Sequence, residues 1–171
     1  HQAMFALLRA TETMPLLEAL RNSAKPALQR RVLSILDQFP KSSLSVEQAL
    51  PLLGSRDGAL ASAAAEVAAK HRDWMPALVE RFSAEMKHDG LSSNSLALLE
   101  IALKPWFNEP SVRECVSALA ESSVASCQRT AWRILAAASG VSPEPRCTAS
   151  LKKALAATPL ADLPLLLDAM A

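Results

Sequence analysis

The sequence predicts an all-α protein built as a solenoid, a stacked array of about five helical hairpins. Alanine and leucine dominate a chain of 171 residues that is 50% hydrophobic but only 4% aromatic, and this composition favours helices over strands. The eleven prolines and four glycines fall mainly between predicted helices. An apolar stripe also returns at regular intervals along the chain. The high apolar fraction and the balanced charge exclude a disordered chain, and three cysteines are too few for a disulfide scaffold.

The N-terminal half shows helices with distinct boundaries. Pro26 begins a run with apolar side chains at positions 28, 32, 35, 36 and 39, which is the spacing of one helical stripe, and Pro40 ends it. Ser45, followed three residues later by Gln48, predicts a capping box for the next helix. Asp57 predicts the start of the helix after that.

The C-terminal half continues the pattern. Asp73 is expected to cap a helix from residue 74, and Ser92 or Ser93 the following one. Proline at position 110 suits the first turn of a further helix. We therefore predict about eleven helices, approximately at residues 5–10, 15–21, 27–39, 46–53, 57–70, 74–88, 96–104, 110–121, 123–140, 147–157 and 160–170.

The predicted helices repeat. Residues 28–36 align with residues 127–135, and Gln, Arg, Ile and Leu match in place. The stripe position of Ile35 returns at Val67, Ile101 and Ile134, at intervals of 32, 34 and 33 residues. A steady period in this range, with two helices in each period, is typical of a stacked array of hairpins.

Two stretches carry a family resemblance. Residues 50–67 resemble a HEAT repeat, in which a leucine-rich helix ends, an aspartate (here Asp57) lies in the turn, and an alanine-rich helix follows. Residues 109–113 resemble the Val-Arg signature near the start of the repeat's second helix. The resemblance implies a right-handed, armadillo-like α-α superhelix that acts as a non-catalytic scaffold for protein–protein or interdomain interaction.

A narrower resemblance suggests an alternative. Residues 31–39, 44–53 and 71–74 are similar to the HEAT-like region of large, membrane-associated bacterial dehydrogenase-like proteins that also carry a c-type haem domain. No CxxCH motif occurs in the chain, so the redox chemistry would then lie outside these residues. This resemblance implies an exported or periplasmic location, and a cytoplasmic location is expected otherwise.

The net charge bears on a further possible function, the binding of nucleic acid. Eighteen Lys and Arg residues against seventeen Asp and Glu residues give a net charge of +1, whereas nucleic-acid-binding domains usually have a marked basic excess. A helical-repeat nucleic-acid binder is therefore disfavoured but remains the second alternative.

No catalytic, cofactor-binding or metal-binding residue is predicted, and no cofactor is expected. The chain lacks GxSxG, P-loop and GxGxxG motifs. His71 and His88 lack the ligand spacing of a zinc site and are interpreted as structural or solvated. The three cysteines, including Cys115 and Cys127, are interpreted as buried free thiols.

The partner of this non-enzymatic segment is expected to be a protein or a neighbouring domain of the same chain. We expect residues 1–171 to form a single repeat domain excised from a longer protein, monomeric as a fragment and without membrane insertion. Aromatic and arginine side chains are frequent interface hot spots, although packing between repeats is favoured for the aromatic residues. The candidate partner-binding residues are Trp106, Phe107, Arg30, Arg31, Arg129 and Arg133.

Overall fold

The computed structural model of the chain confirms the all-α class. It describes residues 13–38, 44–88 and 90–138, together with isolated positions between 148 and 168. This described part contains eight α-helices and two 3-10 helices and no strand. The predicted helices at 5–10, 147–157 and 160–170 lie wholly or mostly outside it.

The chain divides into two compact units, residues 1–68 and residues 69–171. The first unit contains α1 (Thr13–Asn22), α2 (Pro26–Asp37), α3 (Val46–Leu53) and α4 (Gly58–Ala68). The second contains α5 (Met75–His88), α6 (Ser93–Leu103), α7 (Pro110–Glu121) and α8 (Ala125–Ala137), with 3-10 helices at Arg72–Trp74 and Lys104–Trp106.

Several helix starts follow the predicted capping chemistry. The Asp57 carboxylate accepts a hydrogen bond from the backbone N–H of Leu60 at 2.9 Å, at the start of α4. The Ser92 hydroxyl accepts one from the backbone N–H of Ser95 at 3.0 Å, at the start of α6. Each bond satisfies one of the backbone donors that the first turn of a helix leaves without a partner.

The predicted role of Asp73 is wrong. Asp73 lies inside the 3-10 helix Arg72–Trp74, and α5 begins only at Met75. His71 occupies the extended position before this short helix. This 3-10 turn lies between α4 and α5. It ends in Trp74, whose side chain is buried with 4% of its surface exposed.

In the first unit, α1 packs on α2, α3 packs on α4, and α2 packs on α4. Four alanines form most of the side of α4 that faces this interior, together with the buried Leu60 and Val67. Ala61, Ala64 and Ala65 are completely buried. Because an alanine ends at its Cβ atom, these positions allow neighbouring backbones to approach closely.

The buried face of α2 differs from the predicted stripe. Val32, Leu33 and Leu36 are buried, whereas Leu28 and Ile35 are 44% and 37% exposed. The periodicity predicts that all apolar positions of the stripe face the core. The packing of α1 and α4 covers only part of that stripe, so two of its large side chains remain in contact with solvent.

In the second unit, α7 and α8 form a hairpin. The first helix of this hairpin packs on the first helix of the preceding hairpin, and the second helix packs on the second. Helix α5 contacts α7, and α6 contacts α8. The core of this unit includes the fully buried side chains of Phe82, Leu99, Leu119 and Ile134.

One detail supports the alignment of residues 28–36 with 127–135. The side-chain amide of Gln29 donates to the backbone carbonyl of Leu20 at 2.8 Å, and that of its aligned residue Gln128 donates to the carbonyl of Ser122 at 2.9 Å. In each unit, therefore, the second helix of a hairpin is bonded back to the end of the first by a glutamine at the same aligned position.

Candidate functional site

The joints that precede α5 and α7 are bonded to each other. The indole N–H of Trp106 donates to the backbone carbonyl of Ala69 at 2.7 Å. Arg72 and Glu109 add an ion pair at 2.8 Å. These bonds join segments more than thirty residues apart in sequence, so the corner tryptophan connects successive hairpins of the second unit.

Phe107 does not belong to an exposed aromatic surface. Its side chain is 4% exposed, and Trp106 is only half-buried. Phe107 is therefore not available at the surface as a partner-binding residue. The 3-10 helix Lys104–Trp106 turns the chain so that the phenylalanine points inward while the neighbouring indole reaches Ala69.

We expect Trp106→Phe to lower the free energy of unfolding by about 1 kcal/mol, because it removes a hydrogen bond to a carbonyl while keeping an aromatic ring. Urea denaturation followed by circular dichroism measures the change. Arg72→Ala serves as the comparison, since the Arg72 side chain is 70% exposed and surface ion pairs contribute at most about 1 kcal/mol. Equal stability of Trp106→Phe and the wild type would contradict the assigned role of the indole N–H.

The histidine at this joint has a structural contact. The imidazole of His71 stacks on the indole of Trp74, with ring centroids 4.1 Å apart and an interplanar angle of 10°. No group of three His, Cys, Asp or Glu side chains that could hold a metal ion occurs among the described residues.

Arg30 and Arg31 line an open groove between α2 and α4, with a volume of about 590 Å³. Both side chains are exposed. Ile35 extends the α2 side of the groove, and Ala59 and Glu66 belong to its α4 side. Both arginines therefore lie on a concave surface of the first unit.

Arg129 and Arg133 lie on α8 in the second unit. Arg129 is half-buried. Arg133 is 49% exposed and pairs with Glu100 of α6, with 3.2 Å between Nη1 and Oε2. This ion pair bridges the two packed helices, so part of the charge of Arg133 is already neutralised within the unit.

The groove includes residues that sequence reasoning missed. Ser62, Ala63 and Glu66 line it from α4, although none was singled out. A signal was available, since Ser62 and Ala63 stand 32 residues after Arg30 and Arg31, the same interval that separates Ile35 from Val67. The positions that line the groove are therefore occupied by arginines on α2 and, one repeat later, by small side chains on α4.

The two cysteines in the described part are free and buried, as predicted, and the third lies outside the described residues. Burial raises the pKa of the Cys115 thiol to about 11, a nearby Glu114 carboxylate adds to the shift, and a hydrogen bond with Ser83 partly opposes it. A thiol with this pKa is protonated at neutral pH and is a poor nucleophile.

We expect Cys115 to be alkylated by iodoacetamide far more slowly in the folded chain than in urea at pH 8, since a pKa of about 11 leaves about 0.1% thiolate. The pKa of the Cys115 thiol in the folded chain lies above its usual value of 9.0. The contribution of this thiol to the stability of the fold is therefore complete below pH 9 and is lost as the pH rises towards 11. Peptide mapping by mass spectrometry measures the labelling. Rapid labelling of the folded chain at pH 8 would contradict the burial of this thiol.

Within the described residues, no helix is long and apolar enough to cross a membrane. Comparisons of the chain with protein-family models, curated proteins and solved structures found no match.

Proposed function

We propose that the chain is a HEAT-like α-solenoid of about five hairpins and about eleven helices that acts as a non-catalytic scaffold for a protein partner or a neighbouring domain. The period of 32 to 34 residues supports the array. The like-on-like packing of α5 on α7 and α6 on α8 is the arrangement that such a period requires within one unit.

The observation that carries the interaction role is the α2–α4 groove. Its two exposed arginines and the partly exposed Ile35 lie together on one concave surface. Arginine is one of the residues that most often carry binding energy at interfaces, and the buried core of an interface is more apolar than its rim. A scaffold function needs such a surface and needs no reacting group.

The test is capture of partners from the cells that express the chain, by affinity purification with chemical cross-linking. We expect a protein to be retained by the wild type and lost with Arg30→Glu/Arg31→Glu. The matched control is Arg21→Glu/Arg56→Glu, which changes the net charge equally at two exposed arginines outside the groove. Circular dichroism checks that every variant is folded.

Two outcomes would overturn the scaffold. The first is that no protein is cross-linked to the wild type. The second is salt-sensitive binding of DNA in a mobility-shift assay that is lost with Arg30→Glu/Arg31→Glu, because phosphate contacts by arginine produce that behaviour.

A further inference from the structure

The α2–α4 groove carries more positive charge than its own residues neutralise. Arg30 and Arg31 are exposed, and neither forms an ion pair with another residue in the described ranges. Glu66 supplies one carboxylate on the opposite side. Two guanidinium groups therefore face one acid across the groove.

The equivalent surface of the second unit is neutralised by its own residues. There, Arg133 of α8 pairs with Glu100 of α6 at 3.2 Å. In the repeat alignment, Ser34 on α2 stands at the position of Arg133, and Glu66 on α4 stands at the position of Glu100. A serine and a glutamate cannot form an ion pair, so no equivalent bridge closes the first groove.

Apolar surface lies beside this charge. Ile35 is 37% exposed, whereas its aligned residue Ile134 is completely buried. Ala59 and Ala63 line the α4 side, and their short side chains leave room for a backbone to approach. Leu28, on the same helix, is 44% exposed.

We propose that the α2–α4 groove binds an extended peptide segment of a partner protein, with acidic side chains at Arg30 and Arg31 and an aliphatic side chain at Ile35. This inference rests on the proposed scaffold function and specifies the chemistry of the partner. Guanidinium groups recognise carboxylates through paired, charge-assisted hydrogen bonds. Ser34 and Ser62 also line the groove. The Ser34 hydroxyl donates to the backbone carbonyl of Arg30 at 3.0 Å, so it can accept a hydrogen bond from the peptide backbone, and the Ser62 hydroxyl can donate or accept one.

The spacing sets the register of the peptide. Ile35 lies about one helical turn beyond Arg31, a rise of about 5.4 Å along α2. An extended peptide advances about 3.3 Å per residue. The aliphatic side chain is therefore expected about two residues from the nearer acidic side chain.

A peptide fits this surface better than a nucleic acid does. The groove offers only two basic residues, Arg30 and Arg31, and no residue that lines it is aromatic. Proteins that bind single-stranded nucleic acids without sequence preference use stacked aromatic side chains and a continuous positively charged groove. The α2–α4 groove has neither feature.

The test uses purified full chain and fluorescein-labelled peptides in a polarisation assay. The probes are Gly-Asp-Asp-Ala-Leu-Gly, its neutral counterpart Gly-Asn-Asn-Ala-Leu-Gly, its polar counterpart Gly-Asp-Asp-Ala-Ser-Gly, and an oligothymidylate. We expect the first peptide to bind about tenfold more tightly than either counterpart or the oligothymidylate. Amide resonances of Ala59, Ser62 and Ala63 are expected to shift on its addition.

Variants place the binding in the groove. Arg30→Glu/Arg31→Glu is expected to weaken the acidic peptide by about tenfold or more, and Arg21→Glu/Arg56→Glu to leave its affinity unchanged. The proposal is overturned by no binding of the acidic peptide, by equal binding of the neutral peptide, or by tighter binding of the oligothymidylate. If peptide binding fails while the chain still captures a protein partner from cells, this inference fails and the scaffold function stands.

Discussion

Leu33→Ala is expected to lower the free energy of unfolding of the first unit by about 2–5 kcal/mol, because the substitution leaves a cavity in a packed interior. Leu33 is completely buried on α2. Urea denaturation of the chain, followed by hydrogen exchange at the amides of α2 and α4, measures the loss and shows which unit carries it.

Leu28→Ala on the same helix is the matched control. Leu28 is 44% exposed, so we expect its removal to change the free energy of unfolding by less than about 1 kcal/mol. The two substitutions delete the same atoms, and only the burial of the side chain differs. Equal losses, or a larger loss for Leu28→Ala, would show that α2 presents the stripe predicted from periodicity rather than the face seen in the structure.

Ala64→Leu is expected to destabilise the first unit by about 1–3 kcal/mol through overpacking. Ala64 is completely buried on the small-residue face of α4, where added methylene groups would push neighbouring helices apart. Thermal unfolding monitored by far-UV circular dichroism measures the effect.

Ala59→Leu, five residues earlier on α4, provides the comparison. Ala59 is exposed at the groove, so the same added volume projects into solvent and little change in stability is expected. A wild-type melting temperature for Ala64→Leu would mean that the alanines of α4 are not needed for close packing of its neighbours.

The lining of the α2–α4 groove was predicted only in part. Arg30 and Arg31 are predicted as partner-binding residues because arginine is frequent at interface hot spots, and they line the α2–α4 groove. Nothing local to the sequence shows that Glu66 faces the same groove or that Ile35 is left partly exposed there, since both depend on how α2 packs against α4.

The joint before α7 shows the same limit. Trp106 and Phe107 lie between predicted helices, where aromatic side chains either contact a partner or, as favoured from the sequence, pack between repeats. The structure turns Phe107 into the interior and gives the Trp106 N–H to Ala69. The direction in which a side chain points at such a corner is set by the 3-10 turn and by the neighbouring joint. Neither feature has a distinct sequence signal.

The sequence by itself determined the all-α class and the positions of most helices in the described part. These features depend on interactions within a few residues, such as the Asp57 cap of α4 and the proline in the first turn of α7. Only the tertiary structure decided which apolar and charged side chains reach solvent. Exposure depends on which neighbour covers each helical face, so Ile35 and Ile134, equivalent in sequence, differ in burial because α2 and α8 have different neighbours.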